Sequence, residues 1–394
     1  MLVLTKSLLK FFKTESAVGV LLISATMLAM VLSNSPLSHL YKDLLNIPVV
    51  ISIHEFVIAK PLLLWVNDGL MAVFFFMVGL EIKREVLDGS LSHISKVVVP
   101  AFAAIGGMLV PALVYSAFNW GDPIGMQGWA IPMATDIAFA LGILSLLGKR
   151  VPAELKIFLL ALAIIDDLGA IIVIALFFGH GVSVTALAVS AFFIAVLMLM
   201  NWRGVTNNTA YILIGIIVWA AVLKSGVHAT IAGVIVGLLI PLRNNGKSFH
   251  ELEESLHAPV NYVILPLFAF VNTGVNFSGV SSKDFLDNIT IGITLGLFVG
   301  KQVGIFSFSL LAIVLKLGKL PDALHYGHLF GISVLGGIGF TMSLFIGSLA
   351  FECSGDACIN MTDERIGILL GSLLSGITGF FILKWQLSKS IEKH

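Results

Sequence analysis

Charge is what this sequence lacks. Asp, Glu, Lys and Arg together make up 12% of its 394 residues, about half the share usual in soluble domains. A soluble enzyme of this length cannot keep so apolar a composition in water, and scattered basic residues with zero net charge give no electrostatic footprint for nucleic acid. Cysteine is nearly absent as well. Cys353 and Cys358 are too few for a zinc site of their own. They stay open to two readings, free thiols or a local disulfide in an outer loop over 351–363. A complete Gly-x-x-x-x-Gly-Lys-Ser/Thr phosphate-binding loop is missing, which argues against an ATP-driven pump, and nothing calls for a bound cofactor.

What the chain does have is long apolar runs. Segments near 12–33, 61–82, 97–118, 124–147, 153–177, 183–201, 207–221, 226–241, 257–272, 289–314, 327–350 and 364–384 predict an all-α polytopic membrane protein of about twelve spans, forming one transporter domain over 1–394. The first run, preceded by Lys6, Lys10 and Lys13, is read as a span and not as a cleaved leader, because the chain keeps crossing the membrane after it. With the N-terminus placed inside, seventeen Lys and Arg residues fall in inner connections and five in outer ones, with Lys301 inside a span. That bias puts both termini, including a 385–394 tail, in the cytoplasm.

Charges within the spans carry the functional signal. Asp166 and Asp167 sit mid-run in Leu160-Ala-Leu-Ala-Ile-Ile-Asp-Asp-Leu-Gly-Ala-Ile171, where each charge costs roughly 2.5–3.5 kcal/mol at the bilayer centre. Adjacent helical residues point about 100° apart, so one carboxylate can face a water-filled cavity while the other turns toward a neighbouring helix. Asp136 lies in Ile131-Pro-Met-Ala-Thr-Asp136, where Pro132 removes a backbone donor and Thr135 and Asp136 can satisfy freed backbone groups. Gly336, Gly337 and Gly339, in the centre of a late span, read either as close helix packing or as a second interruption, and the Asp136 segment favours interruption. Two interrupted helices at corresponding places in two halves point to a transport site built from half-helix ends. Lys301, mid-span, suits either the negative ends of such helices or an ion pair with the sideways carboxylate. Cation or proton traffic follows. A channel would show a continuous polar stripe, an organic-solute carrier would flank the breaks with aromatic or polar residues, and a scaffold does not explain four intramembrane charges.

Two further features lie at or beyond the ends of the spans. Pro48-Val-Val-Ile-Ser-Ile-His-Glu-Phe-Val-Ile-Ala-Lys60 is β-branched and reads as a small outer hairpin. An isolated hairpin is marginal in water, so it is expected to pair with a second copy of the chain as a homodimer. At the inner ends, Glu81, Lys83, Arg84 and Glu85, then Glu251, Glu253, Glu254 and His257, read either as solvated loop residues or as a cluster that titrates and gates access. Histidine is the side chain that titrates near neutrality.

Gly128-Trp-Ala-Ile-Pro-Met-Ala-Thr-Asp-Ile-Ala-Phe-Ala-Leu-Gly142, the run around Asp166 and Asp167, Lys224-Ser-Gly-Val-His-Ala-Thr230 and Gly337-Ile-Gly-Phe-Thr-Met-Ser343 resemble the NhaA family of bacterial sodium/proton antiporters. The resemblance implies a multi-pass inner-membrane protein with inverted-repeat topology, whose fourth and eleventh spans are unwound and cross near the midplane. It implies ion binding at Asp166 and Asp167, charge balance of the half-helix dipoles at Asp136, Thr135 in the unwound site and Lys301 as the intramembrane lysine. It further implies that Glu81, Arg84, Glu85, Glu253 and His257 sense pH, with Glu254 standing where the family has a histidine and Gln302 where it has a proline. The hairpin resembles the family's dimerisation element. The implied activity is electrogenic, pH-regulated extrusion of Na+ or Li+ in exchange for external H+, with membrane lipid and a second copy as partners and no resident cofactor.

Overall fold

In hydrocarbon every backbone polar group has to be satisfied within its own segment, and these apolar runs do so as helices. The computed structural model describes residues 15–54, 56–89, 92, 94–179, 181–242, 246–278, 284–321, 323–351 and 361–391. Cys353, Cys358 and most of the 351–363 loop fall outside them. Among the described residues, eight helices are long and apolar enough to cross a membrane. The figure rises to eleven if each of three bent helix pairs is one span: Ala17–Ser33 with Ser38–Leu45 at 116°, Gly125–Met133 with Ile137–Leu146 at 43°, and Tyr326–Leu335 with Phe340–Ala350 at 44°.

Several boundaries differ from the sequence reading. The span read as 226–241 contains a helix of only ten residues, Thr230–Leu239, about 15 Å long against a hydrocarbon core of about 30 Å. The second and ninth spans run beyond their apolar segments, as Leu62–Leu87 and Lys247–Asn272. Arg84, Glu85, Glu253 and Glu254 therefore ride on helices and not in connections, as do Glu81 and His257 at the ends of the apolar runs. Apolarity marks where a helix enters hydrocarbon, whereas the helix itself continues as long as its residues favour it. The 385–394 tail is likewise helical through Ile391.

The chain groups into two compact units, each assembled from distant segments. The first comprises Met1–Ser24, Ser90–Ala170 and Val275–His394. Its Ile94–Phe118 and Asn288–Val314 helices meet at two glycines. A Cβ on Gly304 would lie 2.6 Å from the carbonyl carbon of Gly106, so a larger residue there would push the helices apart. The Asn288–Val314 helix widens into a π-helical turn at Gly296–Gly300, immediately before Lys301, a distortion that is common where helices carry function.

The second unit comprises Ala25–Gly89 and Ile171–Gly274. Leu80, Leu197, Tyr211, Val218, Val236 and Phe249 form its core cluster. A reciprocal amide pair, Asn67 with Asn272, ties the Leu62–Leu87 helix to the Lys247–Asn272 helix at 2.8 and 3.2 Å. Here lies the expected hairpin: β1, Pro48–Ile53, pairs antiparallel with β2, Phe56–Pro61, in a register that sets Val50 opposite Ala59 and Ile53 opposite Phe56. The turn has no glycine, and His54 adopts the left-handed conformation at φ 53°. Histidine is among the residues that tolerate that region best. Trp65 Nε1 donates to the carbonyl of Val49 at 3.0 Å and Lys224 Nζ to that of Val57 at 2.6 Å, which anchors the hairpin to two helices.

Candidate functional site

The intramembrane charges foreseen from the sequence all fall within the first unit. Asp166 and Asp167 occupy the middle of the Ala153–Phe177 helix, each 1% exposed. Their side chains diverge, as adjacent helical positions must. Asp166 turns to Lys301, whose Nζ lies 2.7 Å from Asp166 Oδ2. Lys301 is 0% exposed, and the same ammonium donates to the carbonyl of Met133. Met133 ends the 3-10 stretch Gly125–Met133, where carbonyls lack helical partners and the backbone carries partial negative charge. Both partners considered for Lys301, a carboxylate and a helix end, are thus present at once. Removing two charges from water costs several kcal/mol per ion, which only close pairing with further hydrogen bonds offsets. Lys301 has both.

Asp136 is built into the break of the Gly125–Met133 and Ile137–Leu146 pair. It caps the latter helix, with Oδ1 accepting from Phe139 N at 2.9 Å. Its other oxygen, Oδ2, accepts from Thr341 N at 3.0 Å and also from the Thr341 hydroxyl. Thr341 belongs to the first turn of the Phe340–Ala350 helix. One carboxylate therefore faces the positive ends of two helices, where a buried anion is best compensated.

Further bonds join the two breaks crosswise. The Asp136 amide donates to the Ile338 carbonyl at 2.6 Å, the Thr135 hydroxyl to the Gly336 carbonyl at 2.9 Å, and the Ser343 hydroxyl to the Ile131 carbonyl at 2.8 Å. A Cβ on Gly339 would stand 3.1 Å from the Ala134 carbonyl oxygen, so glycine lets the two chains approach this closely. The backbone groups released by each break are taken up by the other, which is how irregular backbone persists among apolar helices. Thr341, Ser343 and the Met133 carbonyl escaped the sequence reading. The hydroxyls two and four residues after Gly339 were the available signal for the first two. A carbonyl gives none.

The titratable residues lie in the second unit. Arg84 Nη1 pairs with Glu253 Oε1 at 2.6 Å and Arg84 Nη2 with Glu85 Oε1 at 3.0 Å. His257 Nδ1 is 4.0 Å from Glu81 Oε1. His250, which the sequence reading passed over, places Nδ1 3.7 Å from Glu253 Oε2. Glu254 is exposed and shares none of these contacts.

The chain is similar to known proteins over nearly its whole length. A family model described as Na+/H+ antiporter 1 matches residues 9–383. The chain is 53% identical over 389 residues to the Na(+)/H(+) antiporter NhaA of Serratia proteamaculans, covering 98% of this chain and 100% of that protein. It is 51% identical over 392 residues to the protein of that name from Proteus mirabilis, covering 99% and 100%, and 53% identical over 386 residues to that from Yersinia enterocolitica, covering 98% of each.

Proposed function

The chain belongs to the Na+/H+ antiporter 1 family and exchanges sodium for protons as a secondary transporter, not an enzyme; we propose that both ions compete for the carboxylates of Asp166 and Asp167. The observation that carries this reading is the buried Lys301–Asp166 pair at 2.7 Å, with Asp167 adjoining it on the same helix. A carboxylate holding a proton has lost the charge that attracts sodium, so occupancy by one ion excludes the other. Exchange follows when such a site faces one side of the membrane at a time. Asp136, held by Phe139 and Thr341, keeps the two broken segments in place and balances their dipoles. Thr135 fixes the unwound backbone through Gly336.

In this reading the eight long helices, the three bent pairs and Thr230–Leu239 all cross the membrane, with both termini in the cytoplasm of a bacterium and the chain seated in its inner membrane. The Gly125–Leu146 and Tyr326–Ala350 segments are interrupted spans of two inverted repeats that cross near the midplane. Sodium or lithium leaves while external protons enter, and when more protons than sodium ions cross, the membrane potential drives the cycle. Glu81, Arg84, Glu85, Glu253 and His257 form a network whose protonation slows exchange at low pH. The hairpin mates with that of a second copy, and lipid surrounds the apolar faces.

The test uses purified protein in liposomes that carry an internal pH dye. A sodium pulse should move protons in wild type and not in Asp167→Asn, with circular dichroism and gel filtration showing the variant folded. Undiminished flux in that variant would remove the site from Asp167.

A further inference from the structure

Three side chains of the second unit converge, with a fourth beside one of them, in a way that pH sensing alone does not require. Glu81 comes from the Leu62–Leu87 helix. His250, Glu253 and His257 come from the Lys247–Asn272 helix at successive spacings of three and four residues, which a 3.6-residue repeat stacks on one face. One ligand atom each from Glu81, Glu253 and His257 lie within 4.8 Å of one another, and His250 Nδ1 stands 3.7 Å from Glu253 Oε2. Donors bound tetrahedrally at about 2.0–2.2 Å from zinc lie roughly 3.4 Å apart. Side-chain movements of about 1 Å or less, within rotamer reach, would bring the Glu81, Glu253 and His257 atoms to that spacing, and a rotamer change of the exposed His250 would add the fourth.

The surroundings order one donor and leave others open to water. Glu253 is 2% exposed, and Arg84 holds its Oε1 at 2.6 Å while Oε2 lies on the His250 side. Hydrogen bonding of that kind orients carboxylate ligands in metal sites. The side chains of His250 and His257 are 47% and 40% exposed, so an ion can reach them from water.

We propose that Glu81, Glu253 and His257, with His250 as fourth donor, bind a divalent transition-metal cation of the zinc class. The donors decide the class: imidazole nitrogens select zinc, nickel or copper, whereas magnesium and calcium take oxygen alone. The bound ion bridges two helices of the unit and stabilises the folded protein by mass action. Arg84 opposes it by charge, so binding is reversible and weaker than in structural zinc sites. The inference does not rest on the regulatory reading of these residues, since it requires binding and nothing else.

Untagged full-length protein in detergent, titrated with zinc chloride by calorimetry and with Co2+ by visible absorption, tests this. One ion per chain, d–d bands of tetrahedral Co2+ and a melting temperature raised by zinc are expected. Affinity should fall by about tenfold or more in both His257→Ala and Glu81→Gln and stay unchanged in His39→Ala. Millimolar magnesium should not compete. If His257→Ala does not fold, Glu81→Gln and His250→Ala carry the comparison. Absence of zinc binding, binding that survives the ligand substitutions, or displacement by magnesium would each overturn the proposal.

Discussion

One ammonium group, Lys301 Nζ, reaches Asp166 Oδ2 at 2.7 Å and the Met133 carbonyl together. A single side chain thereby ties the Ala153–Phe177 helix to the end of the Gly125–Met133 stretch. Lys301→Ala leaves a buried carboxylate and a buried carbonyl without that partner. Losing one member of a buried pair costs about 3–5 kcal/mol. The melting temperature of the purified variant should drop markedly, and an unchanged value would show that the pair contributes no net stability.

The Thr341 hydroxyl donates to Asp136 alongside the Phe139 and Thr341 amides. Thr341→Val keeps shape and loses that donor, at a cost of about 1–3 kcal/mol. Asp136→Asn removes the charge facing two helix ends and should slow exchange more. Sodium-driven proton flux and thermal unfolding, measured on both variants, check the order; a Thr341→Val protein slower than Asp136→Asn would reverse it.

Competition at one site has a signature in pH. On the acid side of the profile, each proton that must leave before sodium binds raises the apparent KM for sodium about tenfold per unit fall in pH, by mass action. Maximal rate at saturating sodium should change far less. A KM independent of pH across that range would mean that protons and sodium use separate sites.

The hairpin exposes Val50, Ile51 and Val57 along paired strands, an edge that a second copy can extend. Deleting residues 48–60 should convert a dimer into a monomer that still exchanges ions. Light scattering on the gel-filtration peak measures it, and a persistent dimer would place the interface elsewhere.

Within the titratable cluster, position separates two adjacent acids. Glu253 is buried against Arg84, and Glu254 is exposed. Removing a negative charge lets its neighbours release protons at lower pH. Glu253→Gln should therefore move activation to lower pH, whereas Glu254→His, screened by solvent, should move it by less. Equal shifts in the two pH profiles would refute the assignment.

The sequence by itself determined the membrane class, the helical architecture, the hairpin and the four intramembrane charges of the candidate site. Asp136, Asp166, Asp167 and Lys301 are legible because a charge within an apolar run is costly wherever the helix lies, so its presence alone signals a use. The strands are legible because β-branched residues between Pro48 and Lys60 fit a pleated surface whatever they pack against. Which carboxylate meets Lys301, and which carbonyl completes its bonding, was decided by tertiary structure. So was the contact of Asp136 with Thr341, 205 residues away, along with the close approach at Gly106 and Gly304 and the helical turns that carry Arg84 and Glu253 past their apolar runs. Hydrophobicity is a property of each residue, readable one position at a time. A hydrogen bond depends on distance and direction between two groups, and for segments this far apart in the chain those exist once the helices have packed.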